Sequence, residues 1–301
     1  MFNIYTLPLG DIIRSHNSAF HLYADDSNLY LVFKPHTAPV AFQQMENLIQ
    51  DIRQWMQLNM LAFNDSKTDF TVINGPRRKL IDMPTLKVGE TEIMPSDSVK
   101  ALGVNFDNTI SMNKQVGEVT RACFFKLHNM YKIRKCLTED AAKTMVHAMI
   151  TSSLDYCNSL YYGLPNCLLD KLLSVQKAAA RLITMSGKYE HITPIMKRLH
   201  WLPIKTRVQY KILILTYKSI HGLAPAYLEE LLIKRPDRGS RCDCKQLLVV
   251  PKVKRATFGG IAFRHCASDL WNNLPEHIRL CDTVEHFKKD LKTYLFNVTY
   301  Q

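Results

Sequence analysis

Two adjacent acidic residues, Asp25 and Asp26, stand between two apolar and aromatic-rich runs at residues 19–24 and 27–33. Runs of this length and composition are typical of β-strands, and the polar residues between them predict a tight turn. Carboxylates fixed side by side repel each other, so such a pair usually has a cation beside it. Enzymes that transfer phosphoryl groups hold Mg²⁺ in this way. The alternative is a solvated turn without chemistry, because Asp is a common turn residue.

The length and composition predict a soluble globular protein with one large or two ordinary domains. The chain has 301 residues, of which 47% are hydrophobic and 22% are charged. No run approaches the length of a membrane span, and the first residues lack the basic head and the cleavage site of a signal peptide. We therefore expect an intracellular protein of the nucleus or cytoplasm, not secreted and without a membrane partner. The eight cysteines are then expected to be thiols rather than a disulfide framework.

The positive charge is unevenly distributed along the chain. The net charge is +12, and residues 181–260 hold 16 Lys and Arg against 5 Asp and Glu, which is +11. Residues 1–60 hold 3 against 5, which is −2. A basic block beside an acidic site suits a protein that binds a phosphate backbone while cations occupy the acids. The alternative is a basic surface that serves only solubility.

Hydrophobic periodicity predicts an α+β fold with three regions. The first, at 1–110, is rich in strands; the second, at 111–233, is helical; the third, at 234–301, has a loop, a short strand and helices. The predicted helices lie at 38–59, 113–135, 167–185, after Pro203, around Leu270 and at 284–296. Beyond the acidic hairpin, the predicted strands and hairpins lie at 70–73, 86–93, 99–107 and 247–250, with a turn at 259–260.

Other patterns with chemical potential are weak. Cys242, Cys244, His265 and Cys266 lack the paired spacing of a zinc site. The isolated histidines are expected to be buried or to cap helices; they are His191, His200 and His221. The sequence has no Ser or Cys nucleophile motif and no glycine-rich phosphate loop.

Several segments together resemble one family. Residues 20–26, which end in Tyr-Ala-Asp-Asp, resemble the catalytic hairpin of non-LTR (LINE-type) retrotransposon reverse transcriptases. Residues 64–68 resemble the next segment of the palm, and residues 101–107 resemble the primer-grip strand. Further segments look like the thumb and C-terminal region of LINE elements of animal genomes: 153–159, 175–181, 199–204, 262–263 and 270–275.

The resemblance implies an RNA-directed DNA polymerase with Mg²⁺ as cofactor. Its partners would be an RNA template, a DNA primer and deoxynucleoside triphosphates. Asp25 and Asp26 would be the metal ligands, and Lys67 would stabilise charge on the leaving phosphates. The residues expected to contact nucleic acid are Tyr23, Gly103, Lys177, Arg181, Lys205, Arg207 and Lys211.

In the family, a third catalytic Asp and the fingers lie upstream of the hairpin, and the sequence given contains neither. We therefore expect a truncated copy that is inactive alone, since one carboxylate cannot do the work of two on different strands. The alternatives are a non-catalytic basic nucleic-acid-binding module, or a decayed open reading frame without a selected role.

Overall fold

The computed structural model describes residues 2–74, 84–236, 246–253 and 256–301, and its fold is α+β, as predicted. The chain divides into two compact units, Met1–Gln115 and Val116–Gln301. The three predicted regions stay a prediction about domains. Residues 75–79, whose Gly-Pro-Arg-Arg-Lys sequence predicts a basic loop, lie outside the described residues, as do Cys242 and Cys244.

Over its described residues, the first unit combines three α-helices with three antiparallel hairpins. Its helices are α1 (Phe2–Tyr5), α2 (Leu7–Ser15) and α3 (Ala38–Leu58). Its strands are β1 (Ala19–Tyr23), β2 (Asp26–Tyr30), β3 (Leu86–Val88), β4 (Thr91–Ile93), β5 (Ser98–Ala101) and β6 (Val104–Asp107). Each strand pairs with its neighbour in sequence, as β1–β2, β3–β4 and β5–β6.

Helix α3 provides the core of the first unit, as its apolar spacing predicts. Leu48 and Ile52 pack with residues of α2, while Phe42 and Ile49 pack with Leu86 and other residues around β3. The Glu46 side chain also accepts a hydrogen bond from the backbone N–H of Lys87, at 2.8 Å. The helix therefore supports the acidic hairpin on one side and the β3–β4 hairpin on the other.

Two strand predictions in this unit were wrong. Residues 70–73 form no strand; Phe70 accepts one backbone hydrogen bond from Ser96, at 2.8 Å, and Asn74 donates one to Asn108, at 2.9 Å. Two isolated bonds do not make a ladder. Residues 99–107 form two strands rather than one, because Leu102 and Gly103 both have positive φ, +46° and +79°, and reverse the chain.

The second unit is helical over the residues described. It begins with α4 (Asn113–Ile133), which crosses the boundary between the units, and continues as α5 (Glu139–Val146), a π-helical turn (His147–Thr151), α6 (Ser152–Asp155), α7 (Asn166–Thr184), α8 (Ile192–Arg198), α9 (Ile204–Ile220), α10 (Ala226–Glu229), α11 (Ala256–Gly259), α12 (Phe263–Asn272), α13 (Glu276–Arg279) and α14 (Val284–Tyr300). Thr138 caps the start of α5, since its hydroxyl accepts a hydrogen bond from the N–H of Ala141.

An aromatic cluster holds α9, α12 and α14 together. Tyr217 stacks on Phe287 with ring centroids 4.3 Å apart, and Trp271 lies 5.8 Å from Phe287. All three rings are almost completely buried. Aromatic rings bury large areas, so this cluster dominates the packing energy of the C-terminal helices.

The predicted strand at 247–250 was also wrong. Leu248 makes only one isolated bridge, to Lys234. The Asn272 side chain takes the place of a neighbouring strand: its amide donates to the Leu248 carbonyl at 2.8 Å and accepts from the Leu248 N–H at 2.9 Å. The turn predicted at 259–260 lies one residue further along, since Gly259 ends α11 and Gly260 and Ile261 form the turn.

Within the described ranges, no helix is both long enough and apolar enough to cross a membrane.

Candidate metal hairpin and basic helices

The predicted acidic hairpin is confirmed as a structural element. Strands β1 and β2 are antiparallel, with Tyr23 opposite Asp26 and a two-residue turn at Ala24 and Asp25. Ala24 has a φ of +52°, at the first central position of the turn. An alanine in this region is strained, whereas a glycine would not be. The hairpin is shorter than predicted, since β2 ends at Tyr30 rather than Phe33.

The inner face of the hairpin is fixed by packing. Phe20, Leu22 and Leu29 pack against a buried cluster that α2 and α3 provide. Phe20 also comes close to Gly10 of α2, where an added Cβ would lie 3.3 Å from the ring. A one-residue slip in the pairing would move these apolar side chains to the opposite face. Burial on this face therefore sets the register that places the two acids at the turn.

The outer face is polar and aromatic. Tyr23 is 67% exposed, and the His21 ring contacts the Tyr30 ring edge-on at 5.6 Å. Asp25 and Asp26 are exposed. Neither carboxylate has a hydrogen-bond or ion-pair partner among the residues that the structure describes. The hairpin therefore offers two unpaired carboxylates and one exposed phenol at the same tip.

Lys67 lies in a separate turn of the same unit. This 3₁₀ turn (Asp65–Lys67) is held by an ion pair between Asp65 and Arg53 of α3. The Arg53 guanidinium lies over the Phe63 ring, 5.5 Å from its centroid. Lys67 is exposed and makes no ion pair with Asp25 or Asp26 within the described ranges. The structure thus gives Lys67 a fixed backbone position without a direct contact to the acids.

Gly103 lies at the tip of the β5–β6 hairpin and is exposed.

The segment after this hairpin is held by Asp107. Its carboxylate accepts hydrogen bonds from the N–H groups of Thr109, at 3.2 Å, and Ser111, at 2.8 Å, and from both of their hydroxyls. These bonds stabilise a sharp bend in which Ile110 and Met112 have positive φ.

The basic residues of the second unit that are predicted to contact nucleic acid differ in exposure and in whether a neighbour in the fold already binds their side chains. Lys205 and Lys211 of α9 are exposed. The Arg207 guanidinium instead forms a two-point ion pair with Asp155, and its Nε donates to Asp155 at 2.8 Å. Such a fork is geometrically specific, so Arg207 is occupied by a neighbour in the fold.

On α7, Lys177 is half-buried, and Arg181 donates to the Glu190 carbonyl at 3.2 Å. The structure therefore brings Tyr23, Asp25 and Asp26 together at one tip. Lys67 and Gly103 lie elsewhere in that unit, and the basic residues lie in the other unit.

Contrary to expectation, none of the three isolated histidines is buried, and only His221 caps a helix, at the end of α9. His221 stacks on Tyr217 with centroids 4.0 Å apart, and its ring nitrogen hydrogen-bonds to the Tyr217 carbonyl. His200 contacts the Phe296 ring at 5.4 Å. His191 stands at the start of α8, where its side chain makes no capping hydrogen bond.

Sequence reasoning missed one cluster that the fold assembles: Cys281, His286 and Asp290. Their ligand atoms all lie within 4.8 Å of one another, and among the described residues this is the only set of three or more His, Cys, Asp or Glu side chains that does so. The available signal was the spacing of His286 and Asp290, four residues apart in a predicted helix. Asp25 and Asp26 belong to no such set of three.

The donor set at the hairpin fits Mg²⁺ by its chemistry. Mg²⁺ binds oxygen ligands, keeps several waters, and is commonly held by one or two carboxylates together with substrate phosphates. Asp25 and Asp26 are two exposed carboxylates with no cationic partner in the part of the chain that the structure describes, and they would be the groups that hold the ion. When bound, Mg²⁺ would supply charge neutralisation and orientation of phosphate oxygens.

Comparisons of the chain with protein-family models, with curated proteins and with solved structures found no match.

Proposed function

We propose that this chain is the palm, thumb and C-terminal part of an RNA-directed DNA polymerase of the non-LTR type. The observation that carries the proposal is the β1–β2 hairpin, which exposes Asp25 in its two-residue turn and Asp26 directly after it, both without a partner among the described residues. The resemblance of the Tyr-Ala-Asp-Asp segment to the catalytic hairpin of that family supplies the reaction class.

Within this proposal each residue has a physical task. Asp25 and Asp26 hold the cation, and Tyr23, exposed beside them, offers a surface for the primer or the incoming base. Lys67, which lies elsewhere in the same unit, would offset negative charge on the leaving phosphates. The tip at Gly103 lets a nucleic-acid backbone approach closely, because glycine has no side chain there.

The basic helices of the second unit would hold template and product. Lys205 and Lys211 are exposed and suit contacts with phosphates, as does the partly exposed Lys177. Arg181 and Arg207 already bind partners in the fold, so we assign them to positioning the helices that carry the lysines. Their direct contact with nucleic acid stays a prediction.

We further propose that this chain does not catalyse polymerisation by itself. Two-metal phosphoryl transfer needs ligands from more than one element, because one turn cannot surround two ions. Over the residues described, no third side chain joins Asp25 and Asp26 in a ligand set. A further carboxylate from another segment or chain would be needed.

A two-part experiment tests the proposal. The full chain is mixed with Mg²⁺, nucleotides and an RNA template annealed to a DNA primer that carries a fluorescent base at its 3′ end. We expect binding without extension, and a Mg²⁺-dependent change of the 3′-end fluorescence that is lost in Asp25→Asn/Asp26→Asn. Extension that disappears in Asp25→Ala would show that the chain is self-sufficient and would contradict the second proposal.

A non-catalytic nucleic-acid-binding module is the second candidate, and the exposed lysines of α9 favour it. Under this alternative the double Asn variant binds the same primer–template with unchanged affinity, and Mg²⁺ acts only by weakening binding as any salt does. If the fluorescence at the primer 3′ end changes neither with Mg²⁺ nor with the double substitution, the result favours the binding module over the polymerase.

A further inference from the structure

The segment between α13 and α14 brings three different metal-ligating groups to one place. Cys281 follows α13, while His286 and Asp290 lie one turn apart on the same side of α14. The His286 Nε2 lies 3.1 Å from an Asp290 carboxylate oxygen, and the Cys281 sulfur lies 3.9 Å from the same oxygen. A thiol, an imidazole and a carboxylate thus converge without any contribution from the acidic hairpin.

These separations match the edges of a tetrahedral zinc site. Zinc–sulfur bonds of about 2.3 Å and zinc–oxygen or zinc–nitrogen bonds of about 2.0 Å, meeting at a tetrahedral angle, place sulfur and oxygen roughly 3.5 Å apart and nitrogen and oxygen roughly 3.3 Å apart. The observed distances of 3.9 and 3.1 Å lie close to these values. The third separation, between the Cys281 sulfur and the His286 ring nitrogen, is at most 4.8 Å.

The backbone that carries the ligands is held in place by the core. The Tyr217 hydroxyl of α9 donates to the Cys281 carbonyl at 2.8 Å. The Thr283 hydroxyl caps α14 by accepting from the N–H of His286, at 3.2 Å. Phe287, between the two helical ligands, is completely buried. Because packing and capping fix these positions, a metal would meet a site that is already largely formed.

The identity and exposure of the ligands select the class of metal. A thiolate with an imidazole favours Zn²⁺ and related soft or borderline ions over Mg²⁺ and Ca²⁺, which prefer oxygen ligands only. Cys281 is 6% exposed, whereas the His286 side chain is 60% exposed. The sulfur therefore lies at the bottom of a site that opens to solvent on the histidine side.

We propose that Cys281, His286 and Asp290 form a zinc site with three protein ligands and a fourth position open to water or to a ligand. Such an ion ties the loop after α13 to the first turns of α14. The open position also allows an incoming anion or thiol to bind the metal. The site is separate from the proposed Mg²⁺ hairpin in ligands and in chemistry.

Titration of the full chain with Co²⁺ tests this proposal. Co²⁺ replaces Zn²⁺ in such sites, and its bond to a thiolate gives a charge-transfer absorption in the near ultraviolet. The parent protein for the titration carries Cys242→Ser and Cys244→Ser, which removes the one closely spaced cysteine pair of the sequence. We expect one equivalent of Co²⁺ to produce the absorption and Zn²⁺ to abolish it by displacement.

Three ligand variants and two controls make the result specific. Cys281→Ser should lose the thiolate absorption entirely, and His286→Ala and Asp290→Asn should weaken Co²⁺ binding by roughly tenfold or more, since even outer-shell partners cost that much. The last two changes lie on a partly exposed helix surface, so they keep the test valid if Cys281→Ser fails to fold. Cys136→Ser and His277→Ala, both exposed and outside the cluster, should bind as the parent does.

The proposal fails if the parent shows no thiolate absorption, or if that absorption survives in folded Cys281→Ser. It also fails if His286→Ala and Asp290→Asn both bind Co²⁺ as tightly as the parent protein.

Discussion

Asp107 shows how a single carboxylate can hold a bend of the backbone through four hydrogen bonds. Burial alone would raise the pKa of Asp107, but hydrogen bonds from Ser111 and Thr109 outweigh burial and lower the pKa below its ordinary value of 3.8. The ionised form is therefore favoured in the folded chain. These bonds hold the segment through which the β5–β6 hairpin leads into α4.

Replacing Asp107 should destabilise the first unit. We expect Asp107→Asn to lower the free energy of unfolding by roughly 1 to 2 kcal/mol, since an amide oxygen accepts fewer and weaker bonds than a carboxylate. Because the folded pKa is depressed, this contribution is fully present above the ordinary pKa and is lost as the pH falls through the folded value. Chemical denaturation at pH 7 and at pH 3 measures both effects.

The control is Asp69→Asn, which changes an exposed carboxylate of the same unit. Equal stability losses in the two variants at pH 7 would show that the Asp107 hydrogen bonds contribute nothing specific.

At the residue scale, the sequence predicted a candidate site correctly where its residues are adjacent in the chain. Asp25 and Asp26 are adjacent, and their apolar flanks indicated the turn correctly. The Cys281 cluster was not predictable in the same way. The placement of Cys281 depends on a hydrogen bond from Tyr217, 64 residues away in sequence, and no local pattern contains that information.

The hairpins of the first unit are the elements that position its candidate groups. In β5–β6 both turn residues, Leu102 and Gly103, have positive φ, which is the backbone of a type I′ turn. Asn followed by Gly is strongly preferred there, and leucine is strained. The hairpin therefore forms despite an unfavourable residue at its first turn position.

The strain at Leu102 gives a prediction of increased stability. Leu102→Asn should raise the free energy of unfolding by roughly 0.5 to 1 kcal/mol, because asparagine tolerates positive φ. Leu102→Val should lower it, since a β-branched residue is still less tolerant of that backbone. Thermal denaturation measures the stability of both variants against the parent protein. A lower melting temperature for Leu102→Asn would contradict the turn geometry.

At the element scale, helices were predicted better than strands for a physical reason. The periodicity that predicts α3 and α7 lies within one continuous stretch of sequence each. On α7, the spacing predicts a buried face, and all the apolar residues of this face are buried: Leu168, Leu172, Val175, Ala179, Leu182 and Ile183. Strand pairing depends on distant partners instead. The segment at 70–73 lacks a continuous partner, and at 247–250 a side chain, Asn272, takes the partner's place.

At the scale of the whole molecule, the uneven distribution of positive charge along the chain predicts how affinity for nucleic acid depends on salt. The excess of basic residues at 181–260 includes α9, whose Lys205 and Lys211 are exposed. Each lysine that contacts a phosphate releases counterions, so affinity for nucleic acid should fall steeply with salt. Arg207, engaged by Asp155, should instead contribute to stability.

A pair of variants separates these two roles. Lys205→Ala/Lys211→Ala should reduce the slope of log affinity against log salt by about 2 while leaving stability nearly unchanged. Arg207→Gln should keep the slope but lower the free energy of unfolding by roughly 1 to 2 kcal/mol, because it breaks a partly buried ion pair. Fluorescence anisotropy with a labelled primer–template and chemical denaturation give the two readouts. An unchanged slope in the lysine variant would place the nucleic-acid surface elsewhere.

The central claim is that the carboxylates at the β1–β2 turn hold a divalent cation. Titration of the isotopically labelled full chain with Mn²⁺, followed by loss of backbone amide NMR signals, locates the ion directly. Glu229 and Glu230 provide an internal control, because they are another adjacent acidic pair. We predict that signals of residues 23–28 disappear at lower Mn²⁺ concentration than those around Glu229, and that Asp25→Asn/Asp26→Asn removes this preference. Equal loss at both pairs, or unchanged loss in the double variant, would contradict the account.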